Sequence, residues 1–132
     1  MGYDADYQGR IELDPPMNAN TWLGLRGREE FGDISPNPHR ILHPIIAPVL
    51  SADGRLVVAV EPCGSGCNPA VMYLVLRDFV WFALLHTDED HGRARRFSGE
   101  FTGKGEDGTR FRLRVGNTDP IVEEEHDHGT DR

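Results

Sequence analysis

Residues 97–115, F-S-G-E-F-T-G-K-G-E-D-G-T-R-F-R-L-R-V, alternate apolar and polar side chains, break at G-K-G-E-D-G, and alternate again. Period two on both sides of a glycine-rich break specifies an antiparallel β-hairpin with one buried and one wet face. Successive residues of a strand point to opposite sides. Arg110, Arg112 and Arg114 therefore form a cationic row on the wet face, joined by Arg96 and Glu100 if the two strands pair. Phe97, Phe101 and Phe111 fall on the other face, which must be buried against something.

The rest of the chain supplies that cover. Residues 6–13 read as a first strand, with Tyr7, Gly9, Ile11 and Leu13 on one side and Gln8, Arg10 and Glu12 on the other. Pro15-Pro16 is expected to end it by removing two ladder donors. Asn18 or Asn20 is placed to cap a short helix carrying Trp22, Leu23 and Leu25. Residues 32–48 hold Pro36, Pro38, Pro44 and Pro48 and read as an irregular loop. Residues 55–61, R-L-V-V-A-V-E, read as a buried strand. Asn68-Pro69 then supplies a helix cap followed by proline at the first helical position.

In the helix that follows, Met72, Val75, Phe79 and Phe82 make one apolar stripe and Leu74, Trp81 and Leu85 a second. A helix apolar on more than one side is covered on more than one side, here by the proline-rich loop or by a second copy of the chain. Arg77 and Asp78 interrupt the run, which is too short for a membrane span of roughly 20 apolar residues. The expected fold is α+β: a mostly antiparallel sheet of about four strands, in the order β-α-β-α-β-β, packed on one long apolar helix. Residues 1–120 are expected to form a single domain. Residues 121–132 are expected to be a disordered acidic tail, with a short last strand at Ile121-Val122 as an option.

The chain also echoes itself. Y-Q-G-R-I-E-L-D-P-P near the start and F-S-G-E-F-T-G-K-G-E-D near the end both read aromatic-x-Gly-x-apolar. Together with Met1-Gly2-Tyr3, these segments resemble a family of small uncharacterised proteins from actinobacteria and their phages. The residues that carry the resemblance are Met1, Gly2, Tyr3, Gly9, Ile11, Pro15, Pro16, Met17, Phe97, Gly99, Gly103, Gly105, Glu106 and Asp107. The likeness implies a fold of this kind and a phage or mobile-element setting, and it implies no catalytic residue.

Candidate sites are few. His39 and His43, and Cys63 and Cys67, have the spacing of metal-ligand pairs, but their order does not match a zinc finger, and they are weak candidates. Two cysteines do not make a disulfide framework. Residues 103–108 lack the G-x-x-x-x-G-K-[ST] order of a phosphate loop and read as a turn. No catalytic set and no cofactor is expected.

Net charge is −8 but unevenly placed: residues 93–114 carry seven basic and three acidic side chains, residues 115–132 six acidic and one basic. The leading expectation is a small acidic, non-enzymatic cytoplasmic protein, phage-linked by its resemblance. It would act by occupying a protein partner, for example as an inhibitor of a host defence protein. Asp4, Asp6, Glu12, Asp14, Glu123, Glu124 and Glu125 would supply the negative surface. The alternative is binding of nucleic acid or a phosphorylated small molecule through Arg96, Arg110, Arg112 and Arg114. Homodimerisation would use Leu74, Trp81 and Leu85.

Overall fold

A computed structural model describes residues 3–26, 45–63, 67–85, 95–116 and 122–127. Its elements run β1 (Ala5–Asn18), α1 (Ala19–Arg26), β2 (Ile46–Leu50), β3 (Leu56–Pro62), α2 (Pro69–Leu85), β4 (Arg96–Gly105), β5 (Arg110–Val115) and β6 (Val122–Asp127). The strands form one sheet in the order β2-β3-β1-β4-β5-β6, and every neighbouring pair is antiparallel. The expected four-stranded sheet on one long helix is therefore corrected: the described residues form six strands and two short helices, of 8 and 17 residues.

Both additional strands lie at edges, where the usual sequence signals are weakest. β2 contains Pro48, which an edge strand tolerates because its missing N–H leaves no inner partner unsatisfied. β6 reads V-E-E-E-H-D and carries almost no apolar pattern. Its ladder with β5 sets Glu123 and Glu125 in register with Arg114 and Arg112, while Val122 is buried beside Val115. Within the segment expected to be an acidic tail, Val122–Asp127 form an edge strand.

β1 also runs past its expected end at Pro15-Pro16. The Asp14–Pro15 peptide is cis, and pairing with β3 shifts register between Glu12 and Met17 before resuming at Met17↔Val57. The carbonyls released there are used by Arg95, which is 1 % exposed. Its guanidinium donates to Pro15 O at 2.8 Å, to Pro16 O at 3.3 Å and to Ala83 O. Ala83 lies in the last turn of α2, whose final carbonyls have no partner within the helix. One buried side chain thereby ties the helix end to the irregular stretch of β1.

The β1–β4 ladder explains the internal echo. Gly9 pairs with Phe101 and Gly99 with Ile11, around the central pair Arg10↔Glu100. A local two-fold axis through that pair exchanges Tyr7 with Phe97, Gly9 with Gly99 and Ile11 with Phe101. Both glycines have positive φ, 121° and 105°. A Cβ at either would overlap a carbonyl of the opposite strand, Glu100 O or Arg10 O. Glycine here lets two backbones cross closely.

One face of the sheet and the inner side of α2 share a core that includes Ile11, Leu13, Phe97, Phe101 and Leu113 with Met72, Leu76 and Phe79. Asn68 caps α2, its Oδ1 accepting from Ala70 N at 2.8 Å. Asn18 caps α1 in the same way through Asn20 N, and Trp22 packs edge-on against Phe79 at 5.5 Å. No helix among the described residues is long and apolar enough to cross a membrane.

Candidate functional site

Strand alternation places every second residue of β1, β4, β5 and β6 on the face opposite the core. Cross-strand register then sorts these residues into rows. One row is Arg10–Glu100–Arg114–Glu123, another Gln8–Thr102–Arg112–Glu125, and a third Asp6–Lys104–Arg110–Asp127. The first alternates in sign at each step and is extended by Glu61 of β3, whose Oε2 lies 3.0 Å from Arg10 Nη2.

The arginine row does share one face, but it is not a free cationic strip. Arg112 lies 3.3 Å from Glu125 and 3.5 Å from Glu100. Arg114 lies 3.6 Å from Glu123 and 3.7 Å from Glu125. Acidic residues of β6 therefore neutralise the two inner arginines. Arg96 is exposed on the same face but opposite Asp14, away from the other three.

The acidic candidates divide similarly. Asp6, Glu12 and Asp14 line β1 on the polar face and are exposed. Asp4 precedes the strand and joins the β4–β5 turn through its backbone, accepting from Glu106 N at 3.2 Å. Glu123 and Glu125 face the arginines, whereas Glu124 points to the other side and lies 3.3 Å from His126 Nε2. The seven residues do not make one continuous negative surface.

A groove of about 870 Å³ opens on the polar face at the hairpin end, lined by Asp6, Gln8, Thr102, Lys104, Arg110, Arg112 and Glu125 with the residues between them. Lys104 and Arg110 are direct cross-strand partners. Among the described residues neither makes an ion pair. Lys104 is absent from the candidates drawn from sequence. As the only lysine in the chain, in phase with Arg110 across the turn, it could have been found by extending the hairpin register.

The turn itself is occupied structurally. Glu106, Asp107 and Gly108 form a three-residue loop, with Gly108 N bonding Gly105 O at 3.0 Å and Gly105 N bonding Thr109 O at 2.8 Å. Gly108 has φ 87°, as the closing position of such a loop requires. The Tyr3 hydroxyl donates to Asp107 Oδ1, and Thr109 N donates to the same oxygen at 2.9 Å. The Tyr3 bond, reinforced by Thr109, holds the Asp107 carboxyl at about 2. The same bond, with burial, raises the Tyr3 hydroxyl. Gly105 lies under the Tyr3 ring and Gly103 under Tyr7, where a Cβ would come within 2.6 Å of Tyr7 Cε1. The motifs at the two chain ends thus meet in space. Beside them Phe111 packs edge-on against His126 at 4.8 Å. The Tyr7 hydroxyl is buried without a hydrogen-bond partner, and burial raises its pKa.

The other candidates lie elsewhere. Cys63 is exposed and Cys67 half-buried, and no disulfide joins them. Cys67 exchanges backbone hydrogen bonds with Ala5 at 2.9 and 3.1 Å, whereas Cys63 N bonds Ile45 O, so different strands anchor them. His39 and His43 lie outside the described residues, among which no group of three or more potential metal ligands occurs. On α2, Leu74 is half-buried, Trp81 is 62 % exposed, and the Leu85 side chain lies outside the described set. Comparison with protein-family models, with curated proteins and with solved structures finds no match to this chain.

Proposed function

We propose that this chain is a binding protein that acts by occupying a partner macromolecule, and that it meets that partner with the polar face of its sheet. One observation carries the reading. The core and α2 fill one side of the sheet, while the other presents exposed charges held in fixed rows. Ordered charge of mixed sign selects a partner by pattern and accelerates encounter, more than it adds raw affinity. A protein partner suits this face better than a polyanion, because the inner arginines already carry counter-charges. The resemblance at the chain ends supports a phage-linked accessory role, with inhibition of a host defence protein as its concrete form. Two cysteines outside any disulfide suit a reducing cytoplasm.

The test is capture of a partner by the intact chain and by a Glu12→Lys/Arg96→Glu variant, at low and high salt. Both substitutions lie on the exposed face, away from the core. We expect a specific partner to be held by the native chain, released as salt rises, and lost by the variant. A partner held equally by both chains, and indifferent to ionic strength, would overturn the proposal.

A further inference from the structure

We propose that Lys104 and Arg110 form a cradle for a single phosphate group, and that the groove beside them receives a small phosphorylated molecule. Gly105 N bonds Thr109 O at the mouth of the hairpin. The next pair inward, Lys104↔Arg110, is accordingly of the non-hydrogen-bonded kind, in which side chains stand closest. Two like charges directly opposite one another destabilise a ladder; Asp6 and Asp127 are their outer neighbours in backbone register, and an anion held between the two bases would relieve the repulsion that remains.

The ion-paired arginines on this face differ from the cradle in holding a close glutamate. Arg10, Arg112 and Arg114 each have a glutamate within 3.0 to 3.7 Å. Among the described residues Lys104 and Arg110 have none. Thr102 and Gln8 line the same groove and add a hydroxyl and an amide as further donors. A lysine, an arginine and neutral donors around one point suit a compact doubly charged oxyanion, for which arginine offers a planar fork and lysine a point charge. The groove, at about 870 Å³, is within the range of small-molecule sites.

A nucleic acid strand fits less well. Successive phosphates would run onto Arg112 and Arg114, which already hold glutamates, and Asp6 and Glu125 at the rim would repel further negative charge. The same acids can accept hydrogen bonds from hydroxyl groups on the remainder of a small ligand. This cradle does not depend on the macromolecular reading, since a small molecule could bind whether or not a partner is present.

The experiment is titration of the full chain with inorganic phosphate, then with glycerol phosphate, followed by amide chemical shifts and thermal stability. Chloride at matched ionic strength is the control, and a short single-stranded oligonucleotide a parallel probe. We expect saturable one-site binding with shifts centred on Thr102, Lys104 and Arg110, and a rise in melting temperature on saturation. Lys104→Gln and Arg110→Gln should each weaken phosphate binding about tenfold, as loss of one charge-assisted bond predicts, whereas Arg114→Gln should leave it nearly unchanged. The proposal is overturned by non-saturable shifts equal to those with chloride, by equal weakening in Arg114→Gln, or by an oligonucleotide that outcompetes both phosphates.

Discussion

Gly9 and Gly99 occupy equivalent places on two paired strands, and their substitution separates two costs that glycine usually hides. At Gly99 an alanine would meet an unfavourable φ of 105° and the Arg10 carbonyl together. At Gly54, φ is 75° but nothing lies within reach of a Cβ. Gly54→Ala should therefore cost only about 1 kcal/mol, the left-handed penalty alone. Gly99→Ala should cost at least about 3 kcal/mol, because backbone cannot move aside as a side chain can. Urea unfolding of the two variants checks the difference, and equal losses would contradict the crossing geometry. The echo of these glycines is legible in the sequence, since aromatic-x-Gly-x-apolar occurs at both ends. Their reason is not, because it resides in the carbonyl of another strand. Arg95 is the opposite case. In the run R-A-R-R it looks like any surface arginine, yet among the described residues it is the largest fully buried side chain. Arg95→Met should cost about 3 kcal/mol or more by leaving buried carbonyls without a donor, and Arg95→Lys should recover little, because a lysine cannot fork to three acceptors.

Among the elements, β6 is the one with the least apolar support. Its apolar contribution is Val122 and the packing of His126 on Phe111. Its ion pairs with β5 are about half exposed on both sides, and pairs of this kind contribute no more than about 1 kcal/mol each. The strand is held mainly by its ladder, and its glutamates determine what the neighbouring arginines can reach. Glu123→Gln/Glu125→Gln should therefore lower stability by only about 1 kcal/mol, while exposing Arg112 and Arg114. Retention on heparin at low salt should rise in the variant, and unchanged retention would show that β6 does not screen the row. An acidic run reads as a solvated tail until its counter-charges are known to lie one strand away, so the sequence offered only a short strand at Ile121-Val122 and not the rest of β6. β2 was hidden by Pro48 for the related reason that edge position is a tertiary fact. The start of α2 was visible because Asn68-Pro69 is a local signal that needs no partner element.

Over the whole molecule, the chain end and the hairpin turn close on each other across 104 residues of sequence, through Tyr3 and Asp107. The hairpin was legible because turn and alternation are both local; its contact with Tyr3 was not, because nothing in a sequence says which glycines lie under which rings. That contact gives stability a dependence on pH with two edges. Asp107 titrates near 2 when folded, below its ordinary 3.8, so its contribution is complete above 3.8 and is lost as pH falls through about 2. Tyr3 is raised above its ordinary 10.0, so its contribution is complete below 10.0 and is lost as pH rises through the raised value. Tyr3→Phe removes the donor that is the first cause of both shifts. Its melting temperature should fall at neutral pH and approach that of the native chain at both extremes. Asp107→Asn should flatten the acid edge as well, since no carboxylate remains to protonate. Melting curves of the three chains from acid to alkaline pH test this directly. Parallel curves for native chain and Tyr3→Phe would mean that the two ends do not meet through these side chains.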